Sequence, residues 1–165
     1  MGLYFTLQRK PRLNGVIATA PVLKTPLEKQ KAKVALANLL ASVLPHLILS
    51  SGLKPQDISR DPSVVEAYRS DPLVHDKASL SLGRDALAVG RWALAHAGEF
   101  ASPLLLMQAS ADRLVYPEGA QQFAKQATGD VTLKIWPGLH HEIHNEPEKE
   151  DVLRFLVDWL DRHLT

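Results

Sequence analysis

The sequence predicts an α/β fold, with about three parallel strands, flanking helices and a helical insertion. Three observations carry that prediction. Two short apolar runs, Leu104 to Met107 and Val131 to Trp136, are each followed by a segment of helical period. A third run, Leu13 to Ala20, is apolar and β-branched and is closed by Pro21, the signature of a buried strand. Strands that alternate with helices argue for a parallel sheet.

Taken in order, Leu3 to Gln8 reads as the first helix, ended by Arg9-Lys10-Pro11. The strand at Leu13 to Ala20 follows. Lys29 to Leu49 is helical but apolar on nearly every side, and Pro45 should kink or end it. Lys54 to Asp76 carries Pro55, Pro62 and Pro72, which makes it irregular, with a short helix near Val64 to Tyr68. Leu80 to His96 is a second long helix leading to the strand at Leu104. The helix after that strand begins near Pro117-Glu118 and turns Ala120, Phe123, Ala124 and Ala127 inward. The last helix takes Asn145 as its cap and Pro147 in its first turn. Leu153, Leu156, Val157, Leu160 and Leu164 form its buried stripe.

Composition excludes several classes. The 165 residues, 45% hydrophobic, suffice for one domain with a sizeable core. A net charge of +1 with no basic cluster argues against nucleic acid as a partner. There are no cysteines, which removes disulfides and thiolate metal sites and is compatible with a cytoplasmic location. No apolar run is long enough to span a bilayer, and no secretory signal opens the chain. Met1-Gly2-Leu3-Tyr4-Phe5-Thr6 matches a myristoylation pattern, a short one that chance often supplies.

The segments that carry chemistry close the second and third strands. Asp112 lies in Gln108-Ala109-Ser110-Ala111-Asp112-Arg113, and His141 lies in Gly138-Leu139-His140-His141-Glu142-Ile143-His144-Asn145-Glu146. A histidine acting as general base needs a buried carboxylate on its other ring nitrogen. One helix and one strand between them can return the chain to the same sheet edge. A lone aspartate in such a loop is ordinarily a turn or cap residue; acid then base at the ends of successive strands is the order of a Ser…Asp…His triad. His140 and His144, with Glu142 between them, offer a zinc alternative. In H-E-x-x-H, however, the glutamate directly follows the first histidine, and no third ligand suggests itself. Ser110 has the position of a nucleophile without an elbow around it, so turn packing explains it better.

Several segments resemble one family. Asn14-Gly15-Val16-Ile17 to Ala20-Pro21 fits the strand after a nucleophile elbow. Ser59-Arg60-Asp61-Pro62, Tyr68-Arg69-Ser70-Asp71-Pro72-Leu73-Val74-His75 and Gly138 to Glu146 are more specific. Together they resemble the monoacylglycerol lipase and lysophospholipase branch of the α/β-hydrolases, grouped with serine aminopeptidases, over essentially the whole chain. The resemblance implies an α/β-hydrolase fold truncated at the nucleophile elbow, with Asp112 as triad acid and His141 as triad base. Met1 matches the residue after the nucleophile, whose backbone N–H helps form the oxyanion hole. The serine of a G-x-S-x-G elbow would then sit just ahead of Met1, with Gly2 as the closing glycine.

The domains expected from this are 1–26 as partial core, 27–76 as helical lid and 77–165 as the core carrying acid and histidine. The apolar Lys29 to Leu49 helix reads as a lid over an acyl-chain pocket, or else as a helix buried between core elements. The implied substrates are monoacylglycerols or lysophospholipids, with no metal or organic cofactor. Lys24, Lys29, Lys31 and Lys33 flank the apolar run, and membrane-surface contact through the lid would make the protein peripheral to membranes. The expectation is a fragment or degenerate copy that lacks its nucleophile and is inactive alone, the alternative being a non-catalytic lipid-binding or interaction remnant. Without the strand that precedes the elbow, the first strand would be an open apolar edge prone to self-association.

Overall fold

The computed structural model of the chain describes residues 1–164. In chain order its elements are α1 (Gly2–Arg9), β1 (Val16–Thr19), α2 (Lys31–Val43), β2 (Ile48–Ser50), α3 (Pro62–Ser70), β3 (Lys77–Ser79), α4 (Leu80–Ala95), β4 (Leu104–Ala109), α5 (Pro117–Gln126), β5 (Val131–Trp136) and α6 (Lys149–His163). The three expected strands form one parallel sheet in the order β1-β4-β5. Val16 pairs with Leu104, and Leu104 in turn with Val131.

All six residues of β4 are buried, because helices cover both faces of the sheet. Strand alternation divides them. Leu104 and Leu106 join Leu3 and Leu7 of α1, Ala93 of α4, and Ala120 and Phe123 of α5. Leu105, Met107 and Ala109 face Val152 and Trp159 of α6 on the other side. The result is three layers, with the carboxyl ends of β4 and β5 side by side.

Local chemistry sets the helix ends. Lys10, in the left-handed region at φ 45°, closes α1 and returns its N–H to the Thr6 carbonyl, and Pro11 forbids continuation. Asp61 caps α3 by accepting from the Ser63 N–H, and Ser79 caps α4 by accepting from Leu82. Gly90 of α4 sits where a Cβ would fall 2.0 Å from the Val22 carbonyl oxygen, so only glycine lets the helix lie on the segment leaving β1.

Four expectations need correction. The helix expected from Lys29 to Leu49 ends at Val43, before Pro45. Residues 48–50 instead form β2, paired antiparallel with β3. Proline cannot continue the helical hydrogen-bond ladder, and beyond it the chain is free to pair with β3. Nor is α2 a core helix: only Ala41 is buried, and Val43 is 73% exposed. Finally, the last helix starts at Lys149 with Glu148 as its cap, after a 3-10 turn at Ile143–Asn145. Asn145 lies three residues ahead of that cap, within the 3-10 turn, and its side-chain amide donates to Glu142. Its buried stripe is centred on Val152 and Trp159, with Phe155, Leu156 and Leu160 packed beside them. Leu153, Val157 and Leu164 are exposed. Trp159 decides the rotation, since its large ring enters the core while its indole N–H donates to Thr132 Oγ1 at 3.1 Å on β5.

Candidate active site

Asp112 lies three residues beyond the end of β4, in a tight turn that its own carboxylate organises. Oδ1 accepts from the backbone N–H groups of Leu114 at 2.8 Å and Val115 at 2.9 Å. Oδ2 accepts from the Gln108 side-chain amide at 2.9 Å and lies 2.8 Å from His141 Nδ1. The Asp112 side chain is 0% exposed and that of His141 24%. Burial alone would raise the Asp112 pKa. The hydrogen bond from His141 and those from the Val115 and Leu114 amides outweigh it, and the carboxyl lies below its ordinary value. An ionised carboxylate only accepts, so His141 presents an Nδ1–H to Asp112 and keeps Nε2 as the ring's other polar atom. No hydroxyl among the described residues is hydrogen-bonded to that nitrogen.

The histidine loop is steered by Pro137-Gly138, where Gly138 adopts φ 73° and donates its N–H to Ser110 Oγ at 2.8 Å. Ser110 is thus a turn residue joining the two loops. Leu139 accepts from the Ala111 N–H at 3.1 Å, a second tie between them. On its other flank the loop meets residues 56–60 of the insertion. His140 Nδ1 bonds to the Gln56 carbonyl at 3.0 Å, and the Glu142 N–H donates to the Ile58 carbonyl at 2.9 Å.

The zinc alternative fails on this geometry. No three potential ligands converge among the described residues. Met1 is the residue before α1, and its carbonyl accepts from the Phe5 N–H. It borders an apolar cavity of about 460 Å³ lined by Tyr4, Val22, Leu82 and Val89 among others, between α1, β1 and α4. His141 is not among the cavity's lining residues.

Two residues escaped the sequence reading. Gln108 is fully buried and donates to Asp112, while its carbonyl oxygen has no partner among the described residues. A polar residue inside an otherwise apolar buried strand was the signal available for it. Glu146 is also buried, and in the sequence it stands out only as the last residue of the Gly138 to Glu146 motif.

A parallel sheet that sends an acid from its central strand and a histidine from the neighbouring edge strand to one point is the construction of the α/β-hydrolases. The fold is of that class. Within it the chain belongs to the family described as serine aminopeptidase (S33), whose sequence model matches residues 1–148. It is 34% identical to a monoacylglycerol lipase of Mycolicibacterium smegmatis over 93% of this chain and 52% of the relative. It is 33% identical to a phospholipase of Bacillus subtilis over 95% of this chain and 61% of the relative. The crystal structure of a Paleococcus ferrophilus monoacylglycerol lipase superposes with a TM-score of 0.92 at 35% identity, covering 98% of this chain and 63% of that one. The chain thus spans between half and two thirds of the length of these three proteins.

The depressed Asp112 pKa has a consequence for stability. Where the folded pKa lies below the unfolded one, the unfolded chain binds more protons in the interval. Stability is therefore fully present above the unfolded value, about 3.9, and is lost as pH falls through the folded value. Asp112→Asn faces its new amide toward the donors of Gln108 and His141 and should cost roughly 1–3 kcal/mol at pH 7. Thermal unfolding of both proteins between about pH 6 and 2.5 should show the two midpoints converging as acid is added. Parallel curves would contradict it.

Proposed function

We propose that this chain supplies the acid, the base and the lid of a serine-type hydrolase of lipid esters, monoacylglycerols or lysophospholipids, whose nucleophile lies outside these 165 residues. The observation that carries the reading is the 2.8 Å contact between buried Asp112 and His141, which leaves Nε2 free to take a proton. The relatives named monoacylglycerol lipase and phospholipase support the substrate class.

The chemistry follows from the proton positions. A serine hydroxyl at Nε2 passes its proton to His141 as the oxygen attacks the ester carbonyl, and Asp112 stabilises the imidazolium. The backbone N–H of Met1, next to such a serine, would donate to the oxyanion. His141 then returns the proton to the departing glycerol oxygen, leaving an acyl-serine. Water, deprotonated by the same nitrogen, releases the fatty acid and restores the serine. The apolar cavity beside Met1 has the character of an acyl-chain site.

Residues 27–76 serve as the lid in this reading. Leu36, Leu39, Val43, Leu44 and Ile48 are exposed there, and the lysines at 29, 31 and 33 lie at the start of α2. Exposed apolar side chains beside cations fit an anionic lipid surface better than bulk water. No described helix is long and apolar enough to cross a membrane.

Three measurements test the reading. A fluorophosphonate probe should label no serine of the 165-residue chain. It should label one when a segment carrying Gly-x-Ser is joined ahead of Met1, and that longer protein should cleave monoacylglycerol. There His141→Ala should lower kcat by roughly 10⁴ to 10⁶, and labelling of the chain alone, or a mild His141→Ala effect, would refute the assignment. Co-sedimentation with anionic lipid vesicles should weaken roughly tenfold or more in Leu39→Asp/Val43→Asp, and equal binding would sink the membrane contact. The edge of β1, unpaired on the side away from β4, should drive association of the isolated chain. Sedimentation velocity should give species heavier than the 18.2 kDa monomer, and a single monomeric boundary argues against it.

A further inference from the structure

Glu146 is a carboxylate the hydrolytic steps do not use, yet its side chain is 0% exposed. Its oxygens are fully engaged. Oε1 accepts from the backbone N–H of Arg60 at 2.9 Å and of His140 at 3.1 Å, and Oε2 accepts from Arg60 Nε. Arg60 extends its other arm to Glu148. Beside this pair, Ser59 Oγ donates to the Asn145 carbonyl at 2.8 Å. Residues 56–60 of the insertion are therefore strapped along residues 140–146, with Glu146 at the buried end of the strap.

We infer that Glu146, tied to Arg60 on one side and to the His140 N–H on the other, is a positioning residue for His141. The His140 N–H that it fixes belongs to the Leu139–His140 peptide, one unit ahead of the peptide that joins His140 to His141, and the carbonyl of that same unit accepts from Ala111. The His141 N–H itself has only a long contact, 3.5 Å to the Asp57 carbonyl. The backbone around the base is thus set by its neighbours: Leu139 by Ala111, His140 by Glu146 and Glu142 by Ile58. A buried charge that accepts three hydrogen bonds is a stiff anchor, because each bond lost leaves it desolvated and unpaired. The same carboxylate ties the base of the insertion to the catalytic loop, so the lid and His141 share one fixed point. This inference rests on the Asp112–His141 pair proposed above.

The test is NMR of the 165-residue chain, in solution or, for an associated sample, under magic-angle spinning. It follows the proton on His141 Nδ1, which the Asp112 carboxylate moves downfield, together with amide hydrogen exchange. In Glu146→Gln the carboxamide turns a donor toward Arg60. Exchange at the His140, Glu142 and Arg60 amides should accelerate roughly tenfold or more, and the Nδ1 proton signal should be lost. Protection at Leu106 in β4 should hold, showing that the sheet stays folded. Arg60→Lys should keep the signal and Arg60→Gln should lose it; this pair decides the matter should Glu146→Gln fail to fold. A Nδ1 signal intact in Glu146→Gln, whether or not exchange accelerates, overturns the positioning role and leaves the catalytic pair standing. No such signal in the unmodified chain overturns the pair itself and the inference with it.

Discussion

The site depends on the central strand's lack of freedom. β4 is hydrogen-bonded to a parallel neighbour on each side, and its alternate residues feed two separate cores. A slip of one residue would exchange the Leu104 and Leu106 set for the Leu105 and Met107 set and would strand both. The register at the carboxyl end is therefore fixed. Asp112 leaves from β4 and His141 from β5, and Ala109 is paired with Trp136 just before both loops begin. Two loops can meet at 2.8 Å because their starting points are tied together.

Buried charge shapes the rest of the site in one consistent way. Among the described residues Asp112 and Glu146 are the two carboxylates given donors on both oxygens, and in each case the donors come from main chain as well as side chains. Main-chain donors have no rotamer entropy to lose, so they fix a carboxylate better than another side chain would. Asp112 turns its remaining capacity toward an imidazole and becomes chemically useful. Glu146 turns its own toward Arg60. One is part of the reaction proposed here and the other braces the loop that carries it.

The insertion follows different rules from the sheet. Its helix α2 and strand β2 leave Leu, Val and Ile side chains in water, which a surface element of a self-contained domain avoids. It is nevertheless anchored where it meets the histidine loop, through residues 56–60. The insertion thus combines an exposed apolar top with a base fixed to the histidine loop. Leu153, Val157 and Leu164 of α6 are further exposed apolar residues, outside the insertion.

The sequence by itself determined the α/β class, the three parallel strands and the order of acid and base. These follow from short-range periodicity and from residue types that tolerate few other roles. It also yielded the family, because Ser59-Arg60-Asp61-Pro62 and the His140 to Glu146 stretch are specific enough to be read directly. It misplaced the end of α2, the cap of α6 and the face that α6 buries. For residues 48–50 and for Trp159 the decision belonged to partners distant in sequence, β3 and Thr132 on the sheet; for Asn145 it belonged to the 3-10 turn at Ile143–Asn145, which holds that residue ahead of the helix. Only the tertiary structure could show Gln108 and Glu146 at work, since a side chain's hydrogen-bonding role depends on which donors the fold brings within reach. Local pattern names the residues that can do chemistry, and long-range packing alone sets the distances at which they do it.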